Sequence, residues 1–327
     1  MKPDSKLKHI LIWTPGGKEW IMVSFEDAKC PLCGSDKRVS IGKPQVNTLF
    51  NKLNLAQLSD VRVVKCCSCS LFYAFPFPIF SSDILNQMYL ADYFDEFTPY
   101  WDKVCHVINP NRRFDVAERI ASSPIKTYLE IGCGQGYALH EAKKRGWDIY
   151  GQDISGDFAS IVKKRVGIDI KTAAITENSF PKSFFDLIYI DSVIEHVENP
   201  VQYMKNILSF LSPCGVVYLI LPNEDALPKK IVDLIFRLAH SSSTSRIAPF
   251  IEPYHVTGFS KKSITFLADL INAKIRLLTC KYSYDSVKKT GGRETIKRIG
   301  RRHIFGMVHT IADSINDGVN MEVILTR

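Results

Sequence analysis

Tyr128-Leu-Glu-Ile-Gly-Cys-Gly-Gln-Gly-Tyr137 joins an apolar segment to three glycines at spacing two, Gly132, Gly134 and Gly136. The apolar segment predicts a buried strand, and the glycines predict a tight turn that allows positive φ and lets a ligand lie against the backbone. The pattern G-x-G-x-G differs from the G-x-G-x-x-G of dinucleotide-binding folds and from the G-x-x-x-x-G-K-[ST] phosphate loop. No lysine stands where it would meet a phosphate, so the motif argues against a nucleotide triphosphate.

Downstream of the turn, segments typical of strands and helices alternate. The segment 148–155 predicts a second strand ending at Asp153, seventeen residues after Gly136, where an acid can accept both hydroxyls of a ribose. Further strands are predicted over 168–175, 185–191 and 215–222, and helices over 140–145, 158–165 and 200–211. This alternation predicts an α/β fold with a mostly parallel sheet and helices on both faces.

Four motifs resemble the successive motifs of class I S-adenosylmethionine-dependent methyltransferases, in that family's order and spacing. They are Leu129-Glu-Ile-Gly-Cys-Gly-Gln-Gly136, Tyr150-Gly-Gln-Asp-Ile-Ser155, Phe185-Asp-Leu-Ile-Tyr-Ile-Asp-Ser-Val-Ile-Glu-His-Val-Glu-Asn-Pro200 and Leu211-Ser-Pro-Cys-Gly-Val-Val-Tyr-Leu-Ile-Leu-Pro-Asn223. They are most similar to the branch that includes the ubiquinone-biosynthesis O-methyltransferases and many sugar and natural-product methyltransferases. The resemblance continues through Tyr254-His-Val-Thr-Gly-Phe-Ser260 and a last strand over 320–326. It implies a Rossmann-like, seven-stranded, mostly parallel sheet and S-adenosyl-L-methionine as cofactor.

The resemblance also implies which residues hold the cofactor. The methionine end would lie over the glycine turn, the ribose on the acid after the second strand, and the adenine near the third strand. The end of the fourth strand would face the sulfonium and its methyl group, and one aromatic residue of the segment before the sheet would touch the cofactor or the acceptor. The implied set is Glu130, Gly132, Gly134, Gly136, Asp153, Ile154, Ala174, Ile175, Asp191, Ser192 and Tyr93.

Two C-x-x-C pairs, Cys30-Pro-Leu-Cys33 and Cys66-Cys-Ser-Cys69, stand near the start of a chain with nine cysteines. Each such turn points two thiolates to the same side, so two turns supply the four corners of a tetrahedral Zn²⁺ site. If Cys67 were the zinc ligand in place of Cys66, its spacing to Cys69 would be C-x-C, which is less usual. The spacing therefore favours Cys66 as the ligand. Closure by four protein ligands makes such a zinc structural, and sugar methyltransferases often carry a similar ribbon. Buried, reduced thiols are the alternative.

The length of 327 residues, with 46% apolar and 23% charged residues, predicts more than one methyltransferase domain. We expect a zinc-ribbon region over 1–80, a helical cover segment over 81–125, and a methyltransferase domain over 126–327 with a lid insertion at about 225–255. The first residues contain no apolar signal segment, and no apolar run approaches the ~18 residues of a membrane helix. We therefore expect a cytoplasmic protein.

Glu195 and His196 follow the fourth predicted strand, beside the position expected for the methyl group. Histidine can take the proton from an attacking hydroxyl, and hydrogen bonding that orients a loop is the alternative role for His196. In the quinone O-methyltransferases this Glu-His pair and an acid three residues earlier hold a divalent cation. Ser192 occupies that position here, so a cation would need Asp191 or His255 instead. His255 matches a histidine that borders the acceptor pocket in relatives, which makes it the third catalytic candidate.

Two segments lie outside the predicted cofactor core. The segment 229–239 predicts an amphipathic helix that either covers the acceptor pocket as a lid or rests on a membrane surface, and its few basic residues favour the lid. The segment 281–303 holds eight lysines or arginines against two acids, and most of the net charge of +8. It could attract an anionic acceptor, an acidic membrane or nucleic acid, or form the solvated face of a helix. No RNA-binding aromatic motif accompanies it.

The sequence as a whole predicts a methyltransferase that acts on a small-molecule acceptor by in-line displacement, with positioning as its main task. The cysteine ribbon favours a sugar or glycan precursor or a natural product as acceptor, and the basic segment 281–303 would suit an anionic one. A quinone or lipid O-methyltransferase is the second alternative, and RNA modification, which depends on charge alone, is the third. A non-catalytic, cofactor-binding interaction module is the alternative of another class; the intact glycine turn and Asp153 argue against it.

Overall fold

Residues 8–13, 20–44, 60–79, 110–249, 255–281 and 306–327 are the part of the chain that the computed structural model describes. The strands there are β1 (Lys8–Trp13), β2 (Trp20–Glu26), β3 (Arg38–Gly42), β4 (Arg62–Cys66), β5 (Phe72–Phe75), β6 (Phe77–Ile79), β7 (Thr127–Ile131), β8 (Asp148–Gln152), β9 (Phe185–Asp191), β10 (Leu211–Pro222), β11 (Thr257–Gly258), β12 (Lys274–Lys281) and β13 (Asn320–Thr326). The helices are α1 (Pro110–Ile120), α2 (Tyr137–Lys144), α3 (Gly156–Val166), α4 (Pro200–Phe210), α5 (Leu227–Leu238), α6 (Lys261–Leu270) and α7 over 306–314.

The largest sheet has the strand order β12-β13-β10-β9-β7-β8. Its centre is parallel, because β7 pairs in parallel with β8 and β9, and β9 with β10. The strand β13 runs antiparallel to both of its neighbours, β10 and β12. The predicted Rossmann-like, mostly parallel α/β fold is therefore confirmed, and the carboxyl ends of β7, β8, β9 and β10 share one edge of the sheet.

Side chains of the central strands alternate between two apolar cores. Leu129, Ile131 and Ile188 pack on the face covered by α4 and α6. Tyr128 and Tyr189 point to the other face, where α1, α2 and α3 supply the opposing side chains. Because successive residues of a strand point to opposite faces, an almost unbroken apolar run is what a sheet covered on both sides requires.

The predicted strand over 168–175 is the one clear departure from the expected sheet. Within the described residues it contributes a single parallel bridge between Lys171 and Gln152, so the central sheet there has six strands instead of seven. The strand β8 ends at Gln152, and its side-chain amide donates to the carbonyl of Ala173 at 2.6 Å. In a regular parallel ladder the Ala173 carbonyl would accept a hydrogen bond from a backbone amide of the neighbouring strand. Here it accepts one from the Gln152 side chain, so the strand pairing does not continue past this point.

The predicted helices form with small changes at their ends. The helix α2 begins at Tyr137, directly after the glycine turn, and not at His140. At the start of α4, the side chain of Asn199 accepts a hydrogen bond from the backbone N–H of Gln202 at 3.1 Å, and proline occupies the first helical position. Such a cap and a proline at that position are common helix starts.

Two smaller sheets lie in the N-terminal region, with the orders β1-β2-β6 and β11-β5-β4-β3. The second sheet holds the cysteine knuckles: Cys30 and Cys33 precede β3, Cys66 is the last residue of β4, and Cys69 lies between β4 and β5. Its strand β11 lies about 180 residues later in the sequence than β5 and pairs antiparallel with it. The ribbon sheet is thus completed by a strand of the methyltransferase region.

Of the predicted cover segment over 81–125, the structure describes α1 and the residues after it, and Tyr93 lies outside the described residues. The helix α1 packs through Phe114, whose ring centroid lies 5.1 Å from that of Trp147 and 5.4 Å from that of Tyr128. This contact fixes α1 against the sheet and brings the neighbouring Arg113 to the end of β9.

The segment predicted to be a lid forms the helix α5. Its inner face is held by Asp233, which is buried and accepts hydrogen bonds from Arg246 Nε at 2.7 Å and Ser245 N at 2.8 Å. Its outer face exposes Leu234, Ile235 and Leu238. None of the helices that the structure describes has the length and apolarity needed to cross a membrane.

Candidate active site

The glycine turn links the carboxyl end of β7 to α2, and its three glycines all adopt left-handed backbone conformations, with φ of 67° at Gly132, 48° at Gly134 and 80° at Gly136. A Cβ at Gly132 would lie 2.3 Å from Val193 Cγ2, whereas one at Gly134 would meet nothing within 4 Å. The first glycine is thus required by close packing. The second opens onto free space, which lets a ligand approach the backbone.

Asp153 binds the glycine turn directly. Its Oδ2 accepts a hydrogen bond from Gly134 N at 2.8 Å, and its Oδ1 accepts one from Ser155 N at 3.0 Å. The carboxylate is buried, and burial raises its pKa while the backbone hydrogen bonds act in the opposite direction. The carbonyl of Gln152 accepts two more amides of the turn, those of Gly132 and Cys133. The end of β8 therefore fixes the shape of the turn.

Glu130 lies at the start of this turn, one residue before the end of β7. Its side chain is buried, and its Oε2 has no hydrogen-bond partner. Burial raises the pKa of this carboxyl well above its ordinary value. A buried acceptor without a partner costs free energy, so this oxygen fits the amino group expected at the methionine end of the cofactor. The predicted cofactor residues at the turn thus suit the group that the sequence implies.

The predicted adenine side is more open. Ile154 is half-buried between Asp153 and α3, Ala174 is exposed, and Ile175 is buried. Ala174 and Ile175 follow the bridge at Lys171 in the chain and are not part of the ladder. Their place beside the adenine stays a prediction.

Asp191, the last residue of β9, is held by an arginine that the sequence analysis gave no role. Arg113 Nη1 donates to Asp191 Oδ2 at 2.9 Å and to the hydroxyl of Tyr189 at 2.8 Å, and Arg113 Nε donates to Glu322 Oε1 at 3.2 Å. Ser192 Oγ donates to Asp191 Oδ1 at 3.0 Å. Because the carboxylate is already paired with a guanidinium, it is a poor candidate for binding a cation.

Glu195 and His196 lie in a 3₁₀ turn, Ile194–His196, which begins three residues after the last residue of β9. Glu195 has 1% of its surface exposed, and neither carboxylate oxygen has a hydrogen-bond partner. Burial, as the largest cause, raises the pKa of this carboxyl to about 8. At neutral pH the Glu195 side chain is therefore mostly protonated and can act as a hydrogen-bond donor.

His255 lies against this turn although it is sixty residues away in the sequence. Its Nε2 is 3.7 Å from Glu195 Oε1, and its ring centroid is 4.8 Å from that of His196 at an interplanar angle of 70°. Burial, with His196 and Lys229 as further causes, lowers the pKa of His255 to about 3. Both partners of the Glu195–His255 contact are therefore uncharged at neutral pH, and the contact is not an ion pair.

The helix α5 begins beside this cluster. Lys229 Nζ lies 2.6 Å from Glu224 Oε1, and the other oxygen of Glu224, buried like the first, has no hydrogen-bond partner. Lys229 contributes to the lowered pKa of His255, and Glu224 to the raised pKa of Glu195. Two imidazoles, two buried carboxyl groups and an ammonium thus converge at the carboxyl edge of the sheet.

The four predicted cysteines also converge. Cys30 Sγ lies 3.5 Å from Cys69 Sγ, Cys33 Sγ lies 3.5 Å from Cys66 Sγ, and all four sulfurs lie within 4.8 Å of one another. Tetrahedral zinc with Zn–S bonds near 2.3 Å needs sulfurs about 3.8 Å apart, so the donor set fits this metal. The Cys69 thiol, as the largest cause, lowers the pKa of Cys30 to about 5. Cys67 is exposed and lies outside the cluster.

A family model described as a methyltransferase domain matches residues 77–274 of this chain. Among curated relatives, the ubiquinone biosynthesis O-methyltransferase of Coxiella burnetii (strain Dugway 5J108-111) is 25% identical over 204 residues, covering 58% of this chain and 86% of the relative. The enzyme of the same name from Dechloromonas aromatica is 25% identical over 201 residues, covering 56% and 85%.

Solved structures show similarity at lower identity. A complex between the Haloferax volcanii Trm112 methyltransferase activator and a protein described as a putative methyltransferase matches at a TM-score of 0.49 and 13% identity, covering 72% of this chain and 96% of that one. A SAM dependent methyltransferase from Archaeoglobus fulgidus matches at a TM-score of 0.47 and 16% identity, covering 72% and 98%.

Replacing Asp153 by alanine is expected to weaken S-adenosylmethionine binding by roughly ten- to a hundredfold, because about 1.5 to 3 kcal/mol of charge-assisted hydrogen bonding to the ribose is lost. Calorimetric titration measures the change. Asp148→Ala is the matched control, since Asp148 is an exposed acid at the opposite end of the same strand. Unchanged affinity in the Asp153 variant would remove this residue from the cofactor site.

Proposed function

The chain is an S-adenosylmethionine-dependent methyltransferase of the methyltransferase-domain family, and from that premise we propose that it methylates a small, polar acceptor held against Glu195, His196 and His255. The observation that carries this proposal is the convergence of these three side chains at the same sheet edge as the glycine turn, with both oxygens of the buried Glu195 carboxyl unpartnered. An enclosed polar group without a partner is expected to meet a ligand.

In this proposal the cofactor binds along the glycine turn. Glu130 receives the amino group of the methionine end, the backbone at Gly134 lies against the ligand, and Asp153 accepts the ribose hydroxyls. Ile154, Ala174 and Ile175 flank the adenine, while Asp191 and Ser192 border the sulfonium side. When bound, the cofactor supplies an activated methyl group. The chain's own residues orient it and exclude water from the reacting side.

The acceptor side needs a group that removes a proton if a hydroxyl is methylated. We assign this role to His196, at the edge of the cluster and half-buried. His255 stays uncharged because its pKa is lowered to about 3, and Glu195 stays mostly protonated because its pKa is raised to about 8. This neutral pair can orient His196 and the acceptor through hydrogen bonds.

The groups around the cluster favour a sugar or glycan precursor, or a polar natural product, as acceptor. Glu224, Lys229 and the imidazole of His255 offer hydrogen-bonding groups at the edge of the sheet, and hydroxyl-rich or anionic ligands satisfy such groups better than an apolar ring does. A quinone or lipid acceptor is the second candidate, and the names of the curated relatives support it. Loss of catalysis, as in a pure interaction module, agrees poorly with this intact cluster.

A divalent cation is an alternative to the imidazole base. Glu195, His196 and His255 each offer one ligand atom, and these atoms lie within 4.8 Å of one another. Of the two substitutes for the acid missing at Ser192, Asp191 is paired with Arg113, which leaves His255. Methyl transfer can be tested with a chelator that leaves the cysteine zinc in place. If the chelator abolishes transfer and Mg²⁺ or Mn²⁺ restores it, a bound cation and not the His196 imidazole activates the acceptor.

For the cysteine cluster we propose one structural zinc, bound by Cys30, Cys33, Cys66 and Cys69. The close approach of the four sulfurs supports this assignment. Since four protein ligands close the coordination sphere, the ion takes no part in methyl transfer.

Elemental analysis is expected to find one zinc in each wild-type chain and no stoichiometric zinc in Cys33→Ser. That variant is also expected to lose stability in the ribbon, because the free energy of zinc binding contributes to its folding. Cys67→Ser is the control and is expected to keep full zinc, since Cys67 lies outside the cluster. Full zinc in Cys33→Ser, or none in the wild type, would contradict the assignment.

His196→Ala is expected to lower the turnover of a hydroxyl acceptor by about 10² to 10⁴ and to leave S-adenosylmethionine affinity nearly intact, because the imidazole acts on the acceptor's proton. His255→Ala is expected to raise the acceptor KM. Formation of S-adenosylhomocysteine, tested against nucleotide-linked sugars and against catechols, measures both effects and also separates the two acceptor classes.

The control is His240→Asn, because His240 is exposed at the end of α5 and asparagine tolerates its positive φ of 55°. Near-normal turnover of the true acceptor by His196→Ala would mean that the base lies elsewhere. His255 and Tyr93 would then be the next candidates.

A further inference from the structure

One segment of the chain, 255–258, connects the cysteine ribbon with the catalytic cluster. The backbone N–H of Ala74, in β5, donates to the carbonyl of Val256 at 3.1 Å, and the N–H of Val256 donates to the carbonyl of Glu195 at 3.1 Å. Val256 is fully buried. A single residue is thus bonded to the ribbon on one side and to the catalytic turn on the other.

Thr257 adds a second bond to the same turn. It pairs with Tyr73 of β5 in the ribbon sheet, and its hydroxyl donates to the carbonyl of Glu195 at 3.2 Å. The side chain is fully buried, so losing this bond leaves the carbonyl with one donor fewer in a place where water does not replace it. Two hydrogen bonds from 256–257 therefore hold the backbone of Glu195.

The same connection reaches the cysteine knuckle. Ser260 Oγ donates to the carbonyl of Ser70 at 3.2 Å, and Ser70 is the residue directly after Cys69. The N–H of Ser70 in turn donates to the carbonyl of Cys66 at 3.0 Å. The knuckle is thus bonded to Ser260, at the far end of the segment that follows His255, while Val256 and Thr257 contact the neighbouring strand β5.

The cofactor side has different supports. The glycine turn is bonded to Gln152 and Asp153, at the end of β8. Its neighbours Cys133 and Ala138 pack in the apolar core on the face of α1, α2 and α3, which includes no ribbon residue. The cysteines and β5 belong to the core on the opposite face, which the turn meets where Gly132 packs on Val193. The hydrogen bonds from the ribbon segment end at Glu195, so a change in the ribbon acts on the Glu195 and His255 side first.

We propose that the cysteine ribbon, through Val256 and Thr257, positions Glu195 and His255 for the acceptor, so that a metal-loaded ribbon is required for methyl transfer and not for cofactor binding. This inference rests on the proposed function in taking Glu195, His196 and His255 as the acceptor side. Thr257 is a positioning residue, since it acts through the backbone of Glu195 and touches neither reactant.

Hydrogen exchange on the full-length protein tests the coupling without knowledge of the acceptor. Zinc is removed with a mercurial and chelator, and the thiols are then reduced. Amide exchange in peptides covering 193–198 and 255–260 is expected to accelerate by at least about tenfold, while peptides covering 132–138 and 148–155 keep their protection. Calorimetric affinity for S-adenosylhomocysteine is expected to change by less than about twofold. Continued protection of 255–260 without zinc, or equal loss of protection at the glycine turn, would overturn the proposal.

A side-chain variant tests the same link with the zinc in place. Thr257→Val is expected to keep stoichiometric zinc and cofactor affinity, and to lower kcat for the acceptor by about tenfold through the lost hydrogen bond. Thr257→Ser is expected to restore it. Thr265→Val is the matched control, because Thr265 is exposed on α6 and its hydroxyl donates only to the carbonyl of Lys261 in the same helix.

The outcomes separate the two proposals. Failure of the zinc-loaded wild type to bind S-adenosylmethionine would contradict the proposed function itself. Cofactor binding together with methyl transfer that survives zinc removal would leave the function in place and overturn the ribbon's role.

Discussion

The hydrogen bonds between the end of β8 and the glycine turn are the constraint on which the proposed cofactor site depends. Gln152 and Asp153 together accept the amides of Gly132, Cys133 and Gly134, which holds the turn in one shape. Parallel strands bring their carboxyl ends to one edge, and the turn therefore lies beside the 3₁₀ helix that follows β9. The chemistry of the site follows from that juxtaposition.

Burial then sets the protonation of the acceptor side. Glu195 has no hydrogen-bond partner for its carboxylate oxygens and is mostly protonated at neutral pH, while His255 is held uncharged. On the other side of the cluster, Arg113 Nη1 lies 2.9 Å from Asp191 Oδ2. The end of β9 thus presents a carboxyl group paired with a guanidinium and, four residues later, the buried carboxyl group of Glu195 without a hydrogen-bond partner. Buried carboxyl groups with a strongly raised pKa are typical of functional sites.

The features that the sequence predicted well are local in the chain. The three glycines, Asp153 and the two cysteine pairs depend on spacing within short segments. The structure forms the predicted turn at the glycines, bonds Asp153 to it and brings the four sulfurs together. The prediction of a seventh strand over 168–175 was wrong. This segment lies at the edge of the sheet, where it can pair on one side only, and its Ala173 carbonyl accepts a hydrogen bond from the Gln152 side chain. Arg113 was missed because its partners, Asp191 and Glu322, are distant in sequence. The contact of His255 with Glu195 depends on the pairing of β11 with β5, which no local pattern encodes; the resemblance to known methyltransferases was its only signal.

The central claim is that the glycine turn and the Glu195, His196 and His255 cluster form two halves of one site. A crystal structure of the protein with S-adenosylhomocysteine tests this claim most directly. We expect ribose hydroxyls at hydrogen-bond distance from Asp153, about 2.7 Å. We also expect the sulfur to be directed at the cluster, so that an acceptor oxygen could approach within about 3 to 3.5 Å of the methyl position. A ribose bound away from Asp153, or a sulfur directed away from Glu195 and His196, would contradict it.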